Sequence, residues 1–386
     1  MQRRNFLKGT AGLVALSTIG SARLAMAQGA TMKVGVPIPM SGPGGMFGAP
    51  SRNVAEMALA EINARGGIAG RPLELVYIDA GTAPADVAQA ALKAWQGDGV
   101  EAFVGFHDSG VRGALNSVFQ GQVPYVYCSL YEGGECSNGI VVMGETPTQQ
   151  LQPVVPWLAK ELGVSKWYLI GNDYNWPRDT FTKAKDYIAA AGGTVVGEEY
   201  VPFTVDNFDS SVAKIKESGA DMVLMTLVGG SAVAFNRAFG SFGLGATVMR
   251  SSPGIEELTL AGIGAENSEN LYVSAGYFNT VQTDGAKAFT EKYAAAHGSL
   301  ADLSFLSESV YEGMLALEAV GNKAGSVAIA DFEAAVEGTT FTTPRGQIVL
   351  NGRHATQDIY LAKANGAALD VVQTFSQVSA GDNCAG

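Results

Sequence analysis

The 386-residue chain is poor in the residues that most often carry chemistry. It has three histidines (His107, His297, His354) and three cysteines (Cys128, Cys136, Cys384). No histidine stands at a His-x-x-x-His spacing and no Cys-x-x-Cys pair occurs, which argues against a metal centre. There is no Gly-x-Ser-x-Gly turn and no Gly-x-x-x-x-Gly-Lys-Ser/Thr loop, so neither a hydrolase elbow nor a phosphate cradle is legible. Gly66-Gly67-Ile68-Ala69-Gly70 is glycine-rich, but it follows a helix and precedes a strand, the reverse of dinucleotide-binding order; a turn is expected there. Lys and Arg number 25 against 37 Asp and Glu, a net charge of −12. Without a basic cluster, nucleic acid and anionic lipid are poor partners. No segment after the first thirty residues is apolar for long enough to span a bilayer. With no nucleophile–base pair and no metal or cofactor motif, the chain does not read as an enzyme.

What is present begins at the N-terminus. Arg3-Arg4-Asn5-Phe6-Leu7-Lys8 precedes a short apolar run, Ala11 to Ile19, and Ala25-Met26-Ala27 supplies a small-x-small cleavage site. This reads as a secretion signal cut after Ala27. The paired arginines followed by Phe-Leu-Lys resemble a twin-arginine signal, which implies the twin-arginine export machinery as a partner and the periplasm as destination. Residues 1–27 carry four basic and no acidic residues, so their removal takes the net charge to −16. The remaining length favours two domains. Export permits a disulfide. Cys136 in a Gly/Ser/Asn loop and Cys384 in the polar tail are the favoured pair, while Cys128 reads as a small core residue.

The mature chain alternates strand and helix. Strands are expected at Met32–Ile38, Leu73–Ile78, Ala102–Val104 and Pro124–Tyr127. Between the first two, Val54, Met57, Ala58 and Ile62 share a helical face. A second series starts near Gln149, with strands at Trp167–Ile170, Thr194–Tyr200, Met222–Val228, Ala246–Met249 and Leu271–Ser274. Helices near 286–295, 305–322 and 328–336 follow, then short hairpin-like strands from Gly346. The rhythm predicts two doubly wound α/β lobes, each with a parallel sheet covered on both faces.

In such sheets ligands bind outside the carboxyl ends of the strands. Those ends deliver His107, Asp108 and Ser109; Tyr127, Ser129 and Tyr131; Tyr174 and Trp176; Thr226 and Val228; and Tyr277. Hydroxyls and aromatic rings therefore gather at one type of edge in both lobes, which suits a small polar ligand. Ser109 stands where a helix begins, so its hydroxyl, beside free helix N–H groups, either helps to bind an acceptor group of a ligand or simply serves as an N-cap.

At this point the residues resemble a known family. Val34-Gly35-Val36-Pro37, Ile62 to Pro72 and Phe103-Val104-Gly105 are similar to periplasmic substrate-binding proteins of the leucine/isoleucine/valine-binding type, which serve ABC importers. Tyr131-Glu132-Gly133-Gly134-Glu135, Pro147-Thr148-Gln149-Gln150 and Gly171 to Arg178 resemble the urea- and amide-binding branch. The resemblance implies the type I periplasmic binding protein fold, with a three-segment hinge between lobe 28–146 plus 278–345 and lobe 147–277 plus 346–386. It implies hydrogen bonds to ligand from Ser109 and Ser129, and aromatic walls from His107, Tyr127, Tyr174 and Trp176, with residues around Thr226 and Val228 opposite. His107 and Trp176 depart from the branch pattern, and Asp108 adds a carboxylate. The expected function is capture of urea, a short amide or a related nitrogen compound by hinge closure, for a membrane permease, by a monomer or weak dimer. An amino-acid receptor of the same fold and a periplasmic ligand sensor are the alternatives.

Overall fold

The computed structural model describes residues 30–381. The export signal and Cys384 lie outside the described residues. The first series runs β1 (Met32–Ile38), α1 (Gly48–Ala64), β2 (Leu73–Asp79), α2 (Pro84–Gln96), β3 (Val100–Gly105), α3 (Ser109–Phe119), β4 (Tyr125–Tyr127) and β5 (Ile140–Val142). The second runs α4 (Pro147–Leu151), α5 (Val154–Leu162), β6 (Lys166–Asn172), α6 (Asn175–Ala190), β7 (Thr194–Val201), α7 (Asp209–Ser218), β8 (Met222–Thr226), α8 (Gly230–Ser241), β9 (Met249–Ser252), α9 (Glu257–Ile263) and β10 (Leu271–Ala275). The chain then returns through α10 (Asp284–His297), α11 (Phe305–Ala324), α12 (Ile329–Val336), β11 (Thr340–Thr343), β12 (Gly346–Asn351), β13 (His354–Asn365) and β14 (Ala368–Val378).

The strands lie in the order β2-β1-β3-β4-β5 in one half and β13-β10-β9-β8-β6-β7 in the other. Within each series the pairing is parallel. Such strands are buried on both faces and read as apolar runs; β1 and β6 are buried along almost their whole length. Helix α11 packs along α1 beside the first sheet. At the end of α1, Gly67 adopts φ +78°, and a side chain there would collide with the Arg71 carbonyl. The loop is thus the expected turn.

Strand β13 reaches across both halves. His354 stands opposite Val142 of β5, whereas residues 360–363 pair with β10. Strand β12 pairs with β11 and with residues 354–356. Residues 346–351 therefore sit on the first sheet, although the sequence reading gave everything from 346 onward to the second lobe; the last crossing falls within β13. Strand β9 begins at Met249 rather than Ala246, because the polar run Arg250-Ser251-Ser252 is buried strand, not loop.

The crossings are bracketed by two glutamines from Pro147-Thr148-Gln149-Gln150. The Gln149 amide donates to the Ala355 and Val378 carbonyls, each at 3.0 Å. The Gln150 amide donates to Pro253 at 2.8 Å and Ser274 at 3.0 Å. Thr146 caps α4 in a capping box and donates its hydroxyl to the Ala380 carbonyl at 3.1 Å. Beside them, fully buried Arg345 meets Glu145 at 2.6 Å, Glu308 at 3.1 Å and Glu312 at 2.7 Å. Burial, then mutual repulsion, pushes the Glu308 carboxyl well above its usual range, and burial raises Glu312 as well. The cluster thus carries less negative charge than three carboxylates imply.

Candidate functional site

The carboxyl ends of both sheets converge on a cleft of about 300 Å³, at the small end of ligand pockets. One wall holds Pro39 after β1, Ala80-Gly81-Thr82 after β2, Phe106 to Ser109 after β3, Ser129 and Leu130 after β4, and Phe47 and Leu306 from the helical layer. The other holds Tyr174 and Trp176 after β6, Phe203 after β7, Val228 after β8 and Gly254 after β9. Both walls are built in part from rings. Phe47 and Phe106 meet edge-on at 5.9 Å, and Tyr174 lies 6.2 Å from Trp176 and 5.3 Å from Phe203. Asn172 sets the Val228 backbone by accepting its N–H at 2.9 Å and anchors to Ser231. Gly254 makes room for Trp176, since a Cβ there would come within 2.9 Å of the indole ring. The Trp176 indole N–H is buried and has no hydrogen-bond partner among the described residues.

Of the residues expected from sequence, His107, Asp108, Ser109, Ser129, Tyr174, Trp176 and Val228 line the cleft. Tyr127, Tyr131, Thr226 and Tyr277 do not, and each has a physical reason. Tyr127 and Tyr125 point to the same side of β4, away from the cleft, since strand side chains alternate. The Tyr127 hydroxyl donates to the His107 carbonyl at 2.9 Å, so it supports the wall from behind. Tyr131 turns inward to touch His354 Nε2, with the Arg112 guanidinium 4.6 Å above its ring. Thr226 is the last residue of β8, fully buried against the position of Gly171. Tyr277 packs edge-on against Phe289 at the second crossing.

Three polar groups are set more tightly than the sequence revealed. Asp108, not Ser109, caps α3: its carboxylate accepts the Val111 N–H at 3.0 Å. Ser109 is the first helical residue, and its hydroxyl donates to Glu132 at 2.6 Å. Behind it Arg112 holds Glu132 at 2.7 Å and Glu135 at 3.2 Å. His107 is buried, and burial pushes its pKa down to about 4. Its Nδ1 lies 3.1 Å from the Asp108 carbonyl, which can only accept, so Nδ1 carries the proton and Nε2 accepts from Tyr125 at 2.6 Å. Asp108 is the one charged side chain among the described lining residues; no Lys or Arg is among them.

Phe47, Phe106, Leu130, Phe203, Leu306 and the Gly81-Thr82 turn were not singled out from sequence. Gly81-Thr82 and Phe203 follow strands in the same way as Ser109, so the carboxyl-edge rule extends to them. Cys136 is disulfide-bonded and Cys128 is a buried free thiol; the expected partner, Cys384, lies outside the described residues. Among the described residues no cluster of His, Cys, Asp and Glu is placed to hold a metal, and no helix is long and apolar enough to cross a membrane. A broader groove at the amino ends of β1, β3 and β4 has its charges spent on each other, Arg71 meeting Glu101 at 2.5 Å.

Residues 31–368 match the family described as periplasmic binding protein. A Leu/Ile/Val-binding protein homolog 6 of Brucella melitensis is 29% identical over 364 residues, covering 90% of this chain and 92% of its own. A solute-binding protein of an ABC transporter from Rhodopseudomonas palustris, solved with p-hydroxybenzoic acid, is 26% identical, with a TM-score of 0.84 and coverage of 91% and 98%. The leucine-binding protein of Thermotoga maritima, at 18% identity and a TM-score of 0.80, covers 89% of this chain and 99% of its own and shares the fold. With two α/β lobes, a cleft at the carboxyl edges of both sheets and a family match across almost all the described residues, this chain belongs to the periplasmic binding proteins.

Proposed function

We propose that this protein is the extracytoplasmic solute-binding component of an ABC importer, and that its cleft captures a small nitrogen compound bearing N–H donors, an amide or an amine. The hydrogen-bond inventory of the cleft carries this reading. The Ser109 hydroxyl donates its hydrogen bond to Glu132, Asp108 is an acceptor, and the Trp176 indole N–H is unpartnered. An amide answers all three, with its N–H groups toward Ser109 and Asp108 and its carbonyl toward Trp176. The rings tolerate an amine too, through cation–π attraction. The cleft has room for a compact apolar body, which favours amides larger than urea itself. Ligand settles first on the wall carrying Ser109 and Ser129; the other wall, with Tyr174 and Trp176, then closes over it. Export by the twin-arginine route and docking of the closed form on a permease complete the reading.

An apolar α-amino acid is the second reading. Its ammonium meets the same acceptors, and Phe106, Leu130, Leu306 and Val228 suit a branched side chain. A benzoate-type acid, as in the Rhodopseudomonas relative, finds no cationic side chain among the described lining residues. A thermal-shift screen of mature protein against amides, amines, apolar amino acids, urea and aromatic acids tests this, because a ligand that binds the folded form raises Tm by mass action. Amides or amines should give the largest shifts. Shifts confined to amino acids select the second reading, and shifts confined to acids overturn both.

A further inference from the structure

Behind the cleft, Glu132 decides which way the Ser109 proton points. We propose that Glu132 is a specificity-determining residue: it makes Ser109 an obligate acceptor, and so selects ligands that donate a hydrogen bond and rejects carboxylates. This rests on the functional reading above and names the group that enforces it.

A hydroxyl has one proton, and a carboxylate can only accept. The 2.6 Å separation between Ser109 Oγ and Glu132 Oε2 is that of a charge-assisted O–H···O bond, the strong kind. The direction is therefore settled, and the Ser109 hydroxyl has only lone pairs left to offer a ligand. Glu132 cannot swing away. Its other oxygen is held by Arg112 at 2.7 Å, and Arg112 is held in turn by Glu135 at 3.2 Å. Glu135 also accepts from Asn116 at 2.7 Å and from the Ser137 N–H at 2.9 Å. Ser109, Arg112, Glu132 and Glu135 are all buried, so water does not compete for these bonds. A carboxylate ligand would bring oxygen lone pairs against those of Ser109, whereas an amide brings its N–H.

The test uses size-matched pairs, benzamide against benzoate and isobutyramide against isobutyrate, by titration calorimetry on the mature protein. In Glu132→Gln the side-chain amide can donate to Ser109 while its carbonyl accepts from Arg112, which frees the hydroxyl proton to face the ligand. The amide-to-acid preference should fall by about tenfold or more, with little effect when Ser109 is already alanine. An unchanged preference in folded Glu132→Gln overturns the proposal while leaving amide binding intact. If wild type shows no amide preference, the functional reading fails and this inference with it. Should Glu132→Gln not fold, Ser109→Ala decides. It should weaken the amide by about tenfold and leave the acid no worse; equal loss for both would overturn the proposal.

Discussion

At the residue scale, the proposed function turns on the state of individual protons. Ser109 and Trp176 sit on opposite walls; the hydroxyl donates to Glu132 and keeps lone pairs to offer, while the indole N–H is buried without a partner. Replacing both with alanine should weaken the best ligand by about 100-fold, as loss of two hydrogen bonds and a ring implies, with a two-state melt retained. Calorimetry and a thermal melt on the double variant check both parts. The histidines make a separate prediction about pH. Burial pushes His354 down to about 4, against 6.5 for an ordinary histidine. Between those values the unfolded chain binds a proton that the folded chain refuses, so stability falls as pH drops through that window. Glu257 runs the other way: burial raises it to about 8, so the folded chain keeps a proton the unfolded chain has lost, and stability declines as pH rises toward 8. Urea melts from pH 4 to 8 should show the acid-side loss lessened in His354→Gln and the alkaline-side loss lessened in Glu257→Gln. The strands' carboxyl ends made His107, Asp108, Ser109 and Trp176 readable in sequence. Glu132 was visible only as part of a motif, because its role depends on a hydroxyl 23 positions away.

At the element scale, strand and helix alternation was readable because parallel strands must be apolar on both faces. It failed where burial and polarity part company. Arg250 lies inside β9, bonded to Asn236 at 2.5 Å and to the Asn267 carbonyl at 2.8 Å, so the strand was expected to end at Met249, where it begins. Tyr127 was assigned to the cleft because it ends a strand, but alternation sends it to the other face. The crossings were harder still. Gln149, Gln150 and Arg345 each gather groups far apart in sequence, and no local pattern announces such partners. Arg345→Ala should cost about 3–5 kcal/mol, because it leaves three buried carboxyl groups among the crossings without their shared partner. Urea denaturation measures it; a loss under about 1 kcal/mol, the range of a surface pair, would contradict the buried-cluster account.

At the scale of the molecule, two sheets share one cleft and one strand, β13, that belongs to both. Such a body gains nothing from a ligand that touches the open and closed forms equally; only differential contact closes it. On the proposed reading the ligand engages Ser109 and Asp108 on one wall and Trp176 on the other, residues that line the two sides of the cleft. The family was legible in the opening strand and the Ile62–Pro72 turn, and the match over residues 31–368 agrees with it. The ligand class was not, since it depends on the direction of one proton and on which charges reach the cleft. The most direct measurement is a calorimetric titration of the mature wild-type protein with benzamide and, separately, with benzoate. The two are matched in size and ring, and differ in whether they offer N–H groups or a second oxygen and a negative charge. Tighter binding of benzamide, by about tenfold or more, is the predicted result. Tighter binding of benzoate would contradict the account.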